Sequence, residues 1–278
     1  MEMNYLNGRV AMVTGGASGM GRAMALAFAE HGANVAIGSL LSASGSKKAE
    51  GELVNRPGEE EMQRTKSEIE AFGVKAIAVE LDVCDVQSVK NFYNRTVEAF
   101  GKVDILANAA GITAEHPTSG HSDELWNKVM DVNINGVFRC TREVLPGMIE
   151  RGWGRVISIA STAATVGAAW SPAYCASKAA VTGFSRAVAL EGAPAMVTSN
   201  TISPGWVETT FGTEWLSDVA EKQMNKKGDE FIAEEKANNP QKRMIQPEEI
   251  GALAAYLCRD EAVGITGQDH IVSAGSLW

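Results

Sequence analysis

The chain has 278 residues, with 34 acidic and 25 basic side chains, a formal net charge of -9 and 28 glycines. An average composition would supply roughly 19 glycines, so a surplus of about nine needs an explanation. The 45% hydrophobic content excludes a wholly disordered chain. The acidic balance disfavours nucleic acid and anionic membranes as partners, so we expect a small molecule or a protein instead.

The sequence shows no membrane or targeting segment. No apolar run approaches the ~20 residues of a membrane helix, and the first residues are not a basic region followed by an apolar one. We therefore predict a cytoplasmic protein. The cysteines, Cys84, Cys140, Cys175 and Cys258, are far apart and have no companion histidines at metal spacing, so we predict free thiols and no metal site.

Short runs rich in Val, Ile and Ala alternate with longer helical patterns from one end to the other. The predicted strands are residues 9–14, 34–38, 75–81, 104–107, 155–160, 197–202 and 270–272. The predicted helices are residues 20–30, 60–71, 86–100, 123–150, 173–191 and 247–258. This alternation predicts an α/β fold, in which a doubly wound parallel sheet of about seven strands is flanked by helices in three layers.

No linker divides the chain, so residues 1–278 are predicted to form a single domain. Two segments interrupt the alternation. Residues 39–58 are polar and rich in Ser, Gly and Lys, and residues 206–243 are charged but contain several aromatic side chains, namely Trp206, Phe211, Trp215 and Phe231. Loops of this length inside a domain tend to be functional lids or disordered insertions.

A glycine cluster, Thr14-Gly-Gly-Ala-Ser-Gly-Met-Gly21, follows the first predicted strand and opens the first predicted helix. At this junction of an α/β sheet, free N–H groups and the helix dipole can bind the pyrophosphate of a dinucleotide. Gly15, Gly19 and Gly21 omit side chains where the backbone must turn tightly or approach the ligand. The spacing is Gly-x-x-x-Gly-x-Gly, and a plain tight turn is the alternative interpretation.

Two further motifs follow the glycine cluster in a fixed order, Asn108-Ala-Ala-Gly111 and Tyr174-x-x-x-Lys178. Together the three motifs resemble those of the short-chain dehydrogenase/reductase family over nearly the whole chain. The resemblance implies a Rossmann-type domain, NAD or NADP as cofactor, and hydride transfer between a secondary alcohol and a ketone. It also implies a homotetramer that pairs the helices over 123–150 and 173–191, and a substrate lid at 206–243.

Tyr174 and Lys178 are four residues apart in a predicted helix, so their side chains share one face. A free tyrosine has a pKa of ~10 and needs a neighbouring cation to act as a base near neutrality. Lys178 can supply that charge, and Ser161 ends a strand where side chains meet ligands. The resemblance implies that Ser161 orients the carbonyl, Tyr174 is the general acid/base, and Lys178 lowers the tyrosine pKa and holds the nicotinamide ribose.

The family also has an asparagine that maintains a proton-relay water near the lysine. Asn133 matches it in the run Asp131-Val-Asn-Ile-Asn-Gly136, and Asn135 is the competing candidate. A locally satisfied helix asparagine is the alternative interpretation.

The resemblance assigns other residues to the cofactor, from the pyrophosphate through the adenosine to the nicotinamide. These are Gly15, Ser18, Gly19, Met20, Gly21, Ser39, Asp82, Val83, Asn108, Ala109, Ala110, Gly111, Tyr174, Lys178, Pro204, Gly205, Val207 and Thr209. For Asn108 a role in steadying the central sheet is the alternative.

The end of the second strand, Gly38-Ser39-Leu40, departs from the family pattern. It has neither the acid common in NAD-specific members nor the arginine common in NADP-specific ones, and Ser18 stands where some members have a basic residue. Lys47 and Lys48 could reach a 2′-phosphate only if the inserted loop folded back. We therefore expect NAD rather than NADP.

The substrate expected from the sequence is a small polar alcohol or ketone, such as a sugar-derived or hydroxy-acid compound. Glu115, His116 and residues 163–170 hold positions that tend to face it. One alternative is a 3-oxoacyl-thioester reductase, which should carry a basic carrier-docking patch near its cleft. A rival from another class is a non-catalytic nicotinamide-binding sensor or scaffold, which the intact set of Ser161, Tyr174 and Lys178 disfavours.

Overall fold

The computed structural model describes residues 4–44 and 52–276. Within those ranges the strands are β1 (Val10–Thr14), β2 (Asn34–Ser39), β3 (Glu52–Leu53), β4 (Ala76–Glu80), β5 (Ile105–Asn108), β6 (Thr113–Ala114), β7 (Gly154–Ile159), β8 (Val197–Pro204) and β9 (Asp269–Val272). A seven-stranded parallel sheet has the order β4-β2-β1-β5-β7-β8-β9. The strand order reverses between β1 and β5, where ligands bind in doubly wound sheets. The predicted fold class is confirmed.

Helices cover both faces of this sheet. Those in the described part of the chain are α1 (Gly19–Glu30), α2 (Glu59–Glu70), α3 (Val86–Phe100), α4 (Asp123–Met130), α5 (Gly136–Arg151), α6 (Ala163–Val166), α7 (Pro172–Gly192), α8 (Thr210–Gln223), α9 (Gly228–Asn238) and α10 (Pro247–Leu257). None of them is long and apolar enough to cross a membrane.

The core lies on both sides of the sheet because successive side chains of a strand point to opposite faces. Ala11 and Val13 of β1 join a buried cluster with residues of α1, α2 and α10, including Phe28. Met12 lies in a second cluster with residues of α3 and α5, including Phe92. This double burial explains the continuous apolar runs that predict the strands.

The region predicted as one helix over 123–150 is divided in the structure. A π-helical turn, Asp131–Asn135, separates α4 from α5. Such turns inside α-helices occur frequently at functional sites. This one contains Asn133, one of the predicted site residues.

The two irregular segments contain regular structure that the sequence did not predict. Glu52–Leu53 at the end of the polar insertion pairs antiparallel with Thr113–Ala114. The segment 206–243 holds α8 and α9, and the Thr209 hydroxyl caps α8 by accepting a hydrogen bond from the Gly212 N–H at 3.0 Å. Lys47 and Lys48 lie outside the described residues.

Candidate active site

The glycine cluster forms the turn between β1 and α1. A Cβ on Gly21 would overlap the carbonyl oxygen of Gly15, so only glycine fits there. Gly19 has a φ of 51°, in the left-handed region that glycine adopts without strain. Ser18 is the N-cap of α1 and makes no capping hydrogen bond with its side chain, which leaves first-turn N–H groups available to a ligand. The turn is therefore a suitable anion site.

A cleft of about 370 Å³ lies at the carboxyl ends of the strands, next to this turn. Most of the residues predicted to bind the cofactor line it. They are Gly15, Ser18, Gly19, Met20, Gly21, Ser39, Asp82, Val83, Ala109, Ala110, Gly111, Tyr174, Lys178 and Thr209.

Four predicted cofactor residues lie elsewhere. Pro204, Gly205 and Val207 line an adjoining smaller cleft. Asn108 lines neither cleft, and its buried side chain donates a hydrogen bond to the Ser158 hydroxyl at 3.1 Å, between β5 and β7. The structure therefore places Asn108 inside the sheet, where its side chain connects two strands.

Two residues from the end of the 39–58 insertion, Asn55 and Arg56, line the larger cleft together with Ser39 from its start. The Ser39 hydroxyl faces inward and accepts a hydrogen bond from the Ala17 N–H at 3.1 Å. Asn55 lines the cleft and donates to the Ser18 hydroxyl at 3.2 Å, and Arg56 lines it beside Asn55. No local sequence motif predicts that Asn55 and Arg56 line the cleft, because their positions depend on the path of the chain at the end of the insertion.

The structure brings Ser161, Tyr174 and Lys178 together. Tyr174 and Lys178 lie one turn apart on α7, and Ser161 follows β7 and lies near enough to Tyr174 to lower its pKa. The Lys178 ammonium lies 5.5 Å from the centre of the tyrosine ring and donates to the Ile159 carbonyl oxygen at 2.8 Å. All three side chains are buried.

Asn133 is joined to the same site through α7. Its side-chain oxygen accepts from the Ile112 N–H at 2.9 Å, and its amide donates to the Ser177 hydroxyl at 3.0 Å. A Cβ on Gly111 would lie 3.4 Å from the Asn133 oxygen and 3.5 Å from the Lys178 nitrogen, so both groups approach this glycine. The competing candidate, Asn135, is exposed and bonds to Asp131 within its own helical turn.

Burial dominates the electrostatics of the catalytic pair. It raises the pKa of Tyr174 to about 12, and Ser161 opposes that rise, so the tyrosine is protonated near neutrality. Burial also lowers the pKa of Lys178 to about 8. The lowering of the tyrosine pKa by Lys178 stays a prediction.

Glu115 and His116 do not line either cleft, contrary to the expectation that they face substrate. The buried carboxylate of Glu115 accepts from the Ser171 hydroxyl at 2.7 Å and from the Thr113 hydroxyl at 3.2 Å. Burial raises its pKa to about 7. Glu115 thus connects the start of α7 to β6.

The smaller cleft, about 100 Å³, adjoins the larger one at Tyr174. Three aromatic residues of the 206–243 segment line it. The Trp215 ring lies 4.9 Å from the Tyr174 ring and 5.0 Å from the Trp206 ring, and Phe211 lies beside Trp215 at 6.1 Å. These aromatic side chains therefore form part of the site itself.

The chemistry available here is that of hydroxyl, amine and backbone groups. In the described ranges, no three or more His, Cys, Asp or Glu side chains lie together as a metal site would require. All four cysteines are free thiols.

A nucleotide-sized cleft at the strand-order reversal, with Ser161, Tyr174 and Lys178 beside it, defines an oxidoreductase that acts on CH–OH or keto groups. The chain belongs to the short-chain dehydrogenase/reductase family. A family model described as Enoyl-(Acyl carrier protein) reductase matches residues 48–276. The family uses NAD or NADP.

Several characterised relatives cover almost the full length. The 3-oxoacyl-(acyl-carrier-protein) reductase of Vibrio cholerae is 34% identical over 97% of this chain and 98% of its own. The oxidoreductase UcpA of Salmonella typhimurium is 33% identical over 99% and 96%. Among solved structures, a variant of actinorhodin polyketide ketoreductase with NADPH superposes with a TM-score of 0.86 at 34% identity, covering 96% of each chain. Levodione reductase superposes with a TM-score of 0.84 at 28% identity, covering 97% of each chain.

Proposed function

We propose that the protein interconverts a small secondary alcohol and its ketone with NAD or NADP. The observation that carries this proposal is that Tyr174 lines both clefts. Ser161 lines the smaller cleft beside it, and the Lys178 nitrogen lies 5.5 Å from the centre of the tyrosine ring. A group in the smaller cleft can thus contact Tyr174 beside a cofactor in the larger one. Such positioning matters as much as acidity, because hydride and proton must leave or reach the same carbinol group.

The glycine turn fits the pyrophosphate of the cofactor, since it combines unfilled backbone donors with positions where only glycine fits. When bound, the nicotinamide supplies or accepts the hydride. Ser161 donates a hydrogen bond that orients the substrate carbonyl, and in reduction the Tyr174 hydroxyl gives its proton to the carbonyl oxygen. Lys178 is placed to hold the nicotinamide ribose, and Asn133 stabilises the backbone at Ile112 next to it.

For the cofactor we propose NAD. Two arginines line the larger cleft, and both are engaged with carboxylates: Arg22 lies 2.6 Å from Glu68, and Arg56 lies 3.5 Å from Glu52. A 2′-phosphate would have to compete with these ion pairs. The actinorhodin relative, whose structure contains NADPH, makes NADP the alternative to test.

A screen of ketones and secondary alcohols with all four cofactor forms tests the proposal, with absorbance of the reduced nicotinamide as the readout. We expect oxidation of NADH by at least one ketone, with a higher kcat/KM than for NADPH. Cofactor binding without any turnover over a broad panel would support the sensor or scaffold alternative instead. A higher kcat/KM for NADPH would contradict the cofactor assignment alone.

A 3-oxoacyl-thioester reductase is the second candidate function, and the relatives favour it. The net charge of -9 is unfavourable for docking an acidic carrier. Acetoacetyl-CoA belongs in the panel for this reason. If it were the best substrate, this second function would replace the first.

We also propose a homotetramer in a reducing, cytoplasmic compartment. Apolar side chains remain exposed on the helices that the family resemblance pairs, including Phe138 on α5 at 43% and Leu190 on α7 at 79% exposure. Light scattering coupled to size exclusion should give about four times the 29.5 kDa chain mass. A monomeric mass would contradict this assembly.

A further inference from the structure

We propose that the substrate is a compact, uncharged ketone with one aromatic ring next to the carbonyl carbon, rather than a sugar-derived or hydroxy-acid compound. The inference rests on the proposed function, since it assigns the smaller cleft to the substrate of Tyr174. Three features of that cleft carry the inference: the aromatic side chains in its walls, the small number of polar groups left for a ligand, and its volume.

Aromatic side chains line the cleft, and one of their indole N–H groups is bonded outside it. The Trp206 indole N–H donates to Glu235 at 3.1 Å, and Glu235 does not line the cleft. The rings of Trp206, Phe211 and Trp215 therefore offer the cleft apolar surface suited to edge-to-face or offset contact with another ring.

The polar groups left for a ligand are few. Among the described residues lining this cleft, none is Asp, Glu, Lys, Arg or His. The Thr162 hydroxyl donates its proton to the Pro204 carbonyl oxygen at 3.3 Å. The Ser161 and Thr209 hydroxyls each accept from a backbone N–H, so both keep a proton to donate. Together with the Tyr174 hydroxyl, these few donors suit a carbonyl oxygen. A carboxylate or a polyol that entered this cleft would lose its hydrogen bonds to water and would find too few polar groups to replace them.

The space limits the size of the ligand. The cleft holds about 100 Å³, less than the apolar cavity of about 150 Å³ that binds benzene, and it adjoins the larger cleft at Tyr174. It therefore takes no more than a single ring against Phe211 and Trp215, with the carbonyl at Tyr174 where the two clefts meet. A long acyl chain would extend beyond the walls into solvent.

Three ketones that differ in charge and polarity test this assignment: acetophenone, 4-acetylbenzoate and dihydroxyacetone. With either reduced cofactor, we expect kcat/KM for acetophenone to exceed that for each of the others at least tenfold. 4-Acetylbenzoate is the matched control, because it differs from acetophenone only by a carboxylate on the ring.

A positive charge placed in the wall of the smaller cleft should weaken the preference for acetophenone over 4-acetylbenzoate. Val166 lines the smaller cleft and is 43% exposed, so a lysine is accommodated there. Val166→Lys should reduce the acetophenone to 4-acetylbenzoate ratio at least fivefold. Val263→Lys, at a valine that is 37% exposed and lines neither cleft, should leave the ratio unchanged.

Binding measured without turnover separates this inference from the proposed function. Tyr174→Phe loaded with cofactor should bind acetophenone at least tenfold more tightly than 4-acetylbenzoate in calorimetry, even if no ketone were reduced by the wild type. Equal or weaker binding of acetophenone, a higher kcat/KM for dihydroxyacetone, or an unchanged ratio in Val166→Lys would overturn the assignment. If the wild type reduced no ketone but Tyr174→Phe still bound acetophenone more tightly than 4-acetylbenzoate, only the proposed reaction would be contradicted.

Discussion

At the residue scale, the site depends on side chains that burial alone would make unreactive. Tyr174 has its pKa raised and Lys178 has its pKa lowered by the same loss of water. Ser161 is the group that works against the tyrosine shift. Near neutrality Tyr174 therefore carries its proton, and Lys178, with a pKa of about 8, remains mostly charged.

Glu115 gives a testable pH dependence at this scale. Its folded-state pKa is about 7, above its ordinary value of 4.5, so the folded protein binds more protons between those values than the unfolded chain does. Stability should therefore fall as pH rises from about 4.5 to about 7, by about 3 kcal/mol from this group. Glu115→Gln should remove that part of the fall, as measured by urea unfolding at pH 5 and pH 8.

The exposed Glu214→Gln, in the same aromatic segment, is the matched control and should leave the difference between the two pH values unchanged. If Glu115→Gln showed the same fall in the free energy of unfolding as the wild type, the shifted pKa of Glu115 would be wrong.

At the scale of elements, the turn before α1 is the clearest test of the cofactor cradle. Gly19→Val should raise the Kd for cofactor at least tenfold, because a side chain there would enter the larger cleft and strain a residue with φ of 51°. Calorimetric titration measures this effect. Gly73→Val controls for strain, because Gly73 has a φ of 84° and no neighbour within 4 Å of an added Cβ. Equal losses of affinity in the two variants would contradict a role for Gly19 at the ligand.

Elements that are buried on both faces were predictable from the sequence, and others were not. The strands of the sheet carry continuous apolar runs, and the capped helices carry periodic ones, so both were placed within a few residues. The π-turn Asp131–Asn135 has no signature in residue type. The sequence does carry a helical period for α8, since Phe211, Trp215 and Val219 lie four residues apart and pack together over the site. α9 buries only Gly228, so no apolar stripe marks it.

The same reasoning explains the site residues. Tyr174 and Lys178 are recognisable because helix geometry alone brings them together. Glu115 and Asn55 owe their positions to contacts with residues far away in the sequence, and no local spacing predicts such contacts. The preference of the smaller cleft for an apolar ligand likewise depends on where the indole N–H groups point.

At the scale of the whole molecule, cofactor binding should stabilise the folded chain. A ligand at one hundred times its Kd adds about 2.7 kcal/mol to the free energy of unfolding. We expect NAD to raise the Tm by several degrees at a concentration where NADP raises it less. A larger shift with NADP would contradict the cofactor assignment without any assay of activity.

The Tyr174 hydroxyl is proposed to act between the cofactor in the larger cleft and the substrate in the smaller one, so its removal is the most direct test of the mechanism. Single-turnover reduction of a ketone by Tyr174→Phe should be at least a thousandfold slower than that of the wild type, with the Kd for cofactor changed less than threefold. Tyr256→Phe, at a tyrosine 51% exposed that lines neither cleft, should react at the wild-type rate. A wild-type rate in purified Tyr174→Phe would contradict the central claim.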